Sequence, residues 1–163
     1  MKLTFRATIA GALASLLLTA AALAHDYKVG DLSIGHPWIR ATPKGAQNAG
    51  GYMKITNNGS EADRLVGGSV AGAEIFEVHF MTVENDVMKM RRLDDGVEIK
   101  PGETVELKPG SFHVMMIGLD GGYEEGSKVP GTLIFEKAGT VAVEFAVEPL
   151  AGGDDSGSSH KGH

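Results

Sequence analysis

Val141-Ala142-Val143-Glu144-Phe145-Ala146-Val147 alternates with a period of two: the larger apolar side chains stand at 141, 143, 145 and 147. Successive residues of a β-strand point to opposite faces, so this stretch reads as a strand with one face on a core. Working outward from it, similar short runs recur at Leu32–Ile34, Tyr52–Thr56, Arg64–Val70, Ile75–Val83, Val87–Leu93, Thr104–Leu107, His113–Leu119 and Thr132–Phe135. Turn residues separate them roughly every eight to twelve positions, the spacing of an all-β domain. No stretch after residue 24 keeps a helical period. These patterns predict a single all-β domain, an antiparallel sandwich or barrel.

The turns carry their own mechanisms. Asn57-Asn58-Gly59 offers residues that tolerate positive φ. Lys100-Pro101-Gly102 and Lys108-Pro109-Gly110 each put Pro before Gly, as type II turns prefer. Asn85-Asp86 can close a two-residue hairpin between Ile75–Val83 and Val87–Leu93.

The two ends read differently. Lys2 and Arg6 precede an apolar run that ends in Ala22-Leu23-Ala24, the pattern of a signal peptide cut after Ala24. The run is too short and too rich in alanine for a membrane span, so no stable membrane insertion is expected. The expected organisation is therefore 1–24 signal peptide, 25–150 β-sandwich domain and 151–163 a flexible His-containing tail, with the mature protein in the periplasm. With Lys2 and Arg6 removed, 13 of the 15 Lys+Arg remain against all 21 Asp+Glu, a net charge of −8. Such a surface disfavours nucleic acid and anionic lipid as partners.

The sequence has no cysteine. Any soft-metal site must then be built from methionine and histidine, and a blue-copper centre, which needs a thiolate, is excluded. Of seven methionines, five fall in two short windows that each hold a histidine: His79-Phe80-Met81 … Met88-Lys89-Met90, and His113-Val114-Met115-Met116. Residues two apart share a strand face, so His79 goes with Met81, Met88 with Met90, and His113 with Met115. If Asn85-Asp86 is the whole hairpin loop, Met81 lies opposite Met90 and His79 lies diagonally from it. A three-residue loop would turn Met88 and Met90 to the wrong face. Thioether sulfur is soft and neutral and suits Cu(I), whereas Mg²⁺ and Ca²⁺ want oxygen. Met53 and Met116 are expected in the core, Met116 because it faces away from Met115. His36, before Pro37 and Trp38, is expected to be a packed residue at a strand end.

At these residues the chain resembles the periplasmic copper chaperones called PCuA(C) proteins. His79 with Met90 eleven positions later, and the downstream His113-Val114-Met115, match that family's pattern. So do His36-Pro37-Trp38-Ile39-Arg40-Ala41, Ala49-Gly50-Gly51-Tyr52, Asn57 and Leu107-Lys108-Pro109-Gly110. The resemblance implies a cupredoxin-like Greek-key sandwich that is not an enzyme. It implies His79, Met90, His113 and Met115 as ligands of one Cu(I), with Met81 and Met88 as second choices. It also implies delivery for assembly of cytochrome c oxidase copper centres, to the copper-A subunit or a Sco-type protein, by a monomer. A second site for Cu(II) is offered by His160 and His163 in the tail, or by His25 as a new N-terminus. A copper-dependent redox enzyme built on His25 and a metal-free structural sandwich are the alternatives.

Overall fold

The computed structural model describes residues 26–149; His25, His160, His163 and the expected leader lie outside them. The described residues form eleven strands: β1 (Tyr27–Val29), β2 (Leu32–Arg40), β3 (Asn48–Asn57), β4 (Asp63–Val70), β5 (Ala73–Glu84), β6 (Val87–Arg92), β7 (Val97–Ile99), β8 (Thr104–Leu107), β9 (Phe112–Leu119), β10 (Lys128–Phe135) and β11 (Gly139–Glu148). The period-two stretch is the body of β11. Val143, Phe145 and Val147 are buried there, while Ala142 and Glu144 face outward.

Hydrogen bonds link the strands in the order β6-β5-β9-β3-β2-β11-β10-β4-β7, with β1 added to β2 and β8 to β3. All pairings are antiparallel except β11 with β2. β3 lies between β2 and the distant β9, and β2 between β3 and the distant β11, crossovers of the Greek-key kind. The sheet folds over so that β4 and β5 meet: a Cβ on Gly68 would lie 3.0 Å from the Phe76 ring. One core therefore draws on both layers, with Val78, Val114 and Met116 from one and Leu65, Leu133 and Phe145 from the other. Each large side chain so buried contributes about 2 kcal/mol of hydrophobic stabilisation. Met53 and Met116 are both core residues as expected, Met116 by its strand parity.

Both Pro-Gly turns close as expected. Glu103 N–H donates to the Lys100 carbonyl at 3.0 Å, and Ser111 N–H to the Lys108 carbonyl at 3.1 Å. Gly102 and Gly110 take φ of +74° and +80°, the left-handed region that a type II turn assigns to glycine.

β2 departs from expectation. It runs on through His36 and Pro37 to Arg40 rather than stopping at Ile34. A bulge makes this possible. Pairing with β3 breaks between Gly35 and Trp38, and His36 takes φ of +46°. The bulge absorbs one residue, so that Ile34 before it and Ile39 after it both point into the core. His36 is consequently not packed. Its imidazole is turned outward and pairs with Glu148. β1 and β7, three residues each, are too short to show alternation and were not in the expected set.

Candidate metal centre

The β5–β6 hairpin has the two-residue loop. Asn85 and Asp86 adopt φ of +52° and +60°, as a type I′ turn requires of both central residues. Glu84 then pairs with Val87, Val83 with Met88, Met81 with Met90 and His79 with Arg92. On its other side β5 pairs with β9, and here His79 lies directly opposite His113 and Glu77 opposite Met115. Directly paired residues share a face. His79, Met81, Glu77, His113, Met115, Met88, Met90 and Arg92 therefore all lie on one face of a three-stranded ribbon. The opposite parity, Val78, Val114 and Met116, goes to the core. The His/Met cluster thus occupies the outer face of the sheet, at the edge formed by β6.

Within this face the two imidazoles are neighbours, with ring centroids 5.7 Å apart. His113 is only 4% exposed, although it points away from the core. Met115 lies two residues along β9 from His113 and diagonally across from His79. Met90 lies diagonally from His79 on the other flank and is 46% exposed. Met88 is a row further out at 66% exposure, and Met81 lies between His79 and the tip. β3 closes the patch on the far side of β9, where Gly50 pairs with Met115. A Cβ on Gly50 would lie 2.6 Å from the Tyr52 hydroxyl, so the glycine leaves room for the buried Tyr52 ring to lie against it. Burial pushes the Tyr52 phenol up, against the pull of the Arg40 charge.

Each imidazole is oriented through one nitrogen. His113 Nδ1 lies 3.0 Å from the Ser111 carbonyl, which can only accept, so the ring donates there and its lone pair is on Nε2. The Lys108–Ser111 turn aims that carbonyl, which also accepts the Met81 N–H at 3.1 Å. His79 Nε2 lies 2.7 Å from Glu77 Oε2, and the carboxylate likewise accepts. That leaves His79 Nδ1, which is buried and has no hydrogen-bond partner. Arg92 donates from Nη1 to Glu77 Oε1 at 2.9 Å and reaches Asp94 with Nε at 3.0 Å.

Burial lowers the proton affinity of His113 below the ordinary imidazole value; the Ser111 carbonyl opposes this and the nearby His79 adds to it. The His79 hydrogen bond, outweighing some desolvation and helped by Arg92, holds the Glu77 carboxyl below its usual range.

Comparison with known proteins places this geometry. Residues 32–147 match the family model described as "LpqE-like: Putative lipoprotein LpqE-like". The chain belongs to this family. Its domain is of the PCuAC type, and among solved structures it is similar to the "Copper-bound PCuAC domain from PmoF2". That pair is 33% identical at a TM-score of 0.66, covering 77% of this chain and 98% of that one. The solution structure of CuI-DR1885 from Deinococcus radiodurans is 25% identical at a TM-score of 0.57, covering 78% of this chain and 83% of the other. "Putative lipoprotein Lxx21020" of Leifsonia xyli subsp. xyli is 28% identical over 139 residues, 85% of this chain and 82% of its own length. The fold is thus the cupredoxin-like β-sandwich of PCuAC domains.

The donor set of this PCuAC-type domain suits a soft ion. Among the described residues no group of three or more His, Asp or Glu could hold a metal, so a hard-ion or zinc-like cage is absent from them. The cluster instead offers two neutral imidazole nitrogens flanked by thioethers, a set that suits Cu(I). All four expected ligand residues come to this one patch. Sequence reasoning missed the groups that aim them: Glu77, Arg92 and the Ser111 carbonyl. Glu77 could have been found, because Glu77-Val78-His79 has the same two-residue spacing that singled out His79 and Met81. Ser111 acts through its backbone, and no side-chain pattern reports that.

Proposed function

We propose that this domain is a copper chaperone that carries one Cu(I) ion as cargo on His79, His113, Met90 and Met115. The observation that carries the reading is the buried, unpartnered Nδ1 of His79 beside a second imidazole whose free nitrogen is Nε2. A buried polar atom without a partner costs about 1–3 kcal/mol, and a bound ion removes that cost. Two imidazoles and two thioethers are all neutral, so they keep the site's charge low and favour Cu(I) over Cu(II). The copper-bound domain and the Cu(I)-bound protein among its structural neighbours support the choice of metal. Met90, half-exposed at the sheet edge, suits release: an incoming ligand can replace the outermost thioether before the imidazoles let go.

The resemblance noted in the sequence supplies the recipient. In this reading the protein is exported, cleaved after Ala24, and gives its ion to the copper-A subunit of cytochrome c oxidase or to a Sco-type protein. Titration with Cu(I) against a competing chelator tests the reading. One tight equivalent is expected, greatly weakened in His113→Ala and Met115→Ala while both variants remain folded. Weak binding without a defined stoichiometry would overturn it. Little ascorbate-dependent peroxide production by the loaded protein is expected, and sustained turnover would favour a redox enzyme instead.

A further inference from the structure

We infer that Glu77 is the positioning residue of this centre: it fixes His79 so that copper is taken through Nδ1, while His113 binds through Nε2. The inference rests on the copper reading above and deepens it. Glu77 uses both oxygens. Oε2 accepts from His79 Nε2 at 2.7 Å, and Oε1 accepts from Arg92 Nη1 at 2.9 Å. The first bond selects the Nε2–H form of the neutral ring and so places the lone pair on Nδ1, the nitrogen buried without a partner. A carboxylate behind a ligating imidazole fixes the ring's orientation and raises its basicity.

The second bond holds a different part of the site. Arg92 is on β6, two residues from Met90 and on the same face. It pairs directly across from His79, so its guanidinium reaches over to Glu77 on β5. Among the described residues β6 has β5 as its only strand neighbour, and all six residues of β6 are exposed. One carboxylate therefore ties the imidazole and the thioether-bearing edge strand into a single arrangement. Glu77 pairs across from Met115 on the outer face of β5, the parity opposite to the core residue Val78, so its role is separable from the fold.

The two histidines are held in opposite tautomers, one by a side-chain carboxylate and the other by a backbone carbonyl. Long-range ¹H–¹⁵N spectra of the histidine side chains read this directly in the full chain. Before copper, His79 should show a protonated Nε2 and His113 a protonated Nδ1. On addition of Cu(I) the metal-induced ¹⁵N shift should fall on Nδ1 of His79 and on Nε2 of His113. Glu77→Ala should abolish the Nε2–H preference of His79 and weaken Cu(I) binding by about 10–100-fold. Glu77→Gln, whose amide oxygen can still accept from Nε2–H, should restore the tautomer and most of the affinity. Arg92→Ala should leave the His79 tautomer unchanged and weaken binding only a few-fold. Thermal unfolding of each variant checks that it is folded.

Tight Cu(I) binding with the metal shift on His79 Nε2 would overturn this inference and leave the copper reading standing. So would a Glu77→Ala variant with wild-type affinity and tautomer. Absence of tight Cu(I) binding by the unaltered protein would overturn the copper reading itself.

Discussion

Two polar clusters lie on this one sandwich, and they are built in opposite ways. The first, around Asn57 and Asp63, is buried and complete. Asn57 donates to the carbonyls of Glu61 at 2.7 Å and Ile99 at 3.0 Å, and accepts from Gly59 N–H at 2.9 Å. Asp63 accepts three backbone N–H groups, from Arg64, Lys137 and Ala138, at 2.7 to 2.9 Å. Desolvation raises the Asp63 carboxyl, but the three N–H groups outweigh it and hold it below its usual range. The second cluster, around His79 and His113, is nearly as enclosed yet leaves a ring nitrogen unpaired. A polar group that closes on itself stabilises a fold, whereas a buried one left over calls for an explanation, which at His79 is the proposed ion.

The contrast can be broken most severely at the closed cluster. Asp63→Ala orphans three N–H groups and should cost about 3 kcal/mol in a denaturation curve. Its Cu(I) affinity, measured while folded, should match the unaltered protein. An affinity that fell with the stability would mean that the two clusters are not independent. Next comes the open cluster. His113→Ala should weaken Cu(I) binding about 100-fold, or about 2.7 kcal/mol, in a chelator competition. Its unfolding midpoint should move less than that of Asp63→Ala. Met90→Leu keeps the volume but removes the sulfur, and should cost about tenfold in affinity, or 1.4 kcal/mol. Because Met90 is half-exposed, its effect on unfolding should be within about 0.5 kcal/mol.

The smallest effect is on pH dependence without metal. Folded His113 resists protonation, whereas in the unfolded chain it accepts a proton near the ordinary pKa of about 6.5. The unfolded state therefore binds more protons below that value. Stability from this group is complete above about pH 6.5 and declines as the pH falls toward 5. Asp63 is lowered instead, so its contribution survives until well into the acid carboxylate range. Urea unfolding at pH 7 and pH 5 should show a modest loss in the unaltered protein and a smaller one in His113→Ala. Equal losses in both would assign the effect elsewhere.

Much of this centre was legible in the sequence because strands make simple arithmetic. The parity of His79, Met81, His113 and Met115 needed only the period of two. The pairing of Met81 with Met90 needed only the length of the Asn85-Asp86 loop. What parity could not give was which strand lay beside β5. The pairing of His79 with His113 joins segments more than thirty residues apart, and nothing local encodes it. The extent of β2 was hidden for a different reason. Gly35-His36-Pro37 reads as a break, but a bulge turns it into an irregularity within one strand. His36 was misplaced by the same reading. The edge position of β6 was hidden too, since its alternation of Met with Lys and Arg reads the same whether a strand is paired on one side or two.

The proposed centre is defined by the atoms that would surround the ion. X-ray absorption on the protein loaded with one equivalent of Cu(I) counts them. Two nitrogen and two sulfur neighbours are expected, with one sulfur lost in Met90→Leu and one nitrogen in His113→Ala. A spectrum with nitrogen and oxygen neighbours alone, unchanged by either substitution, would contradict it.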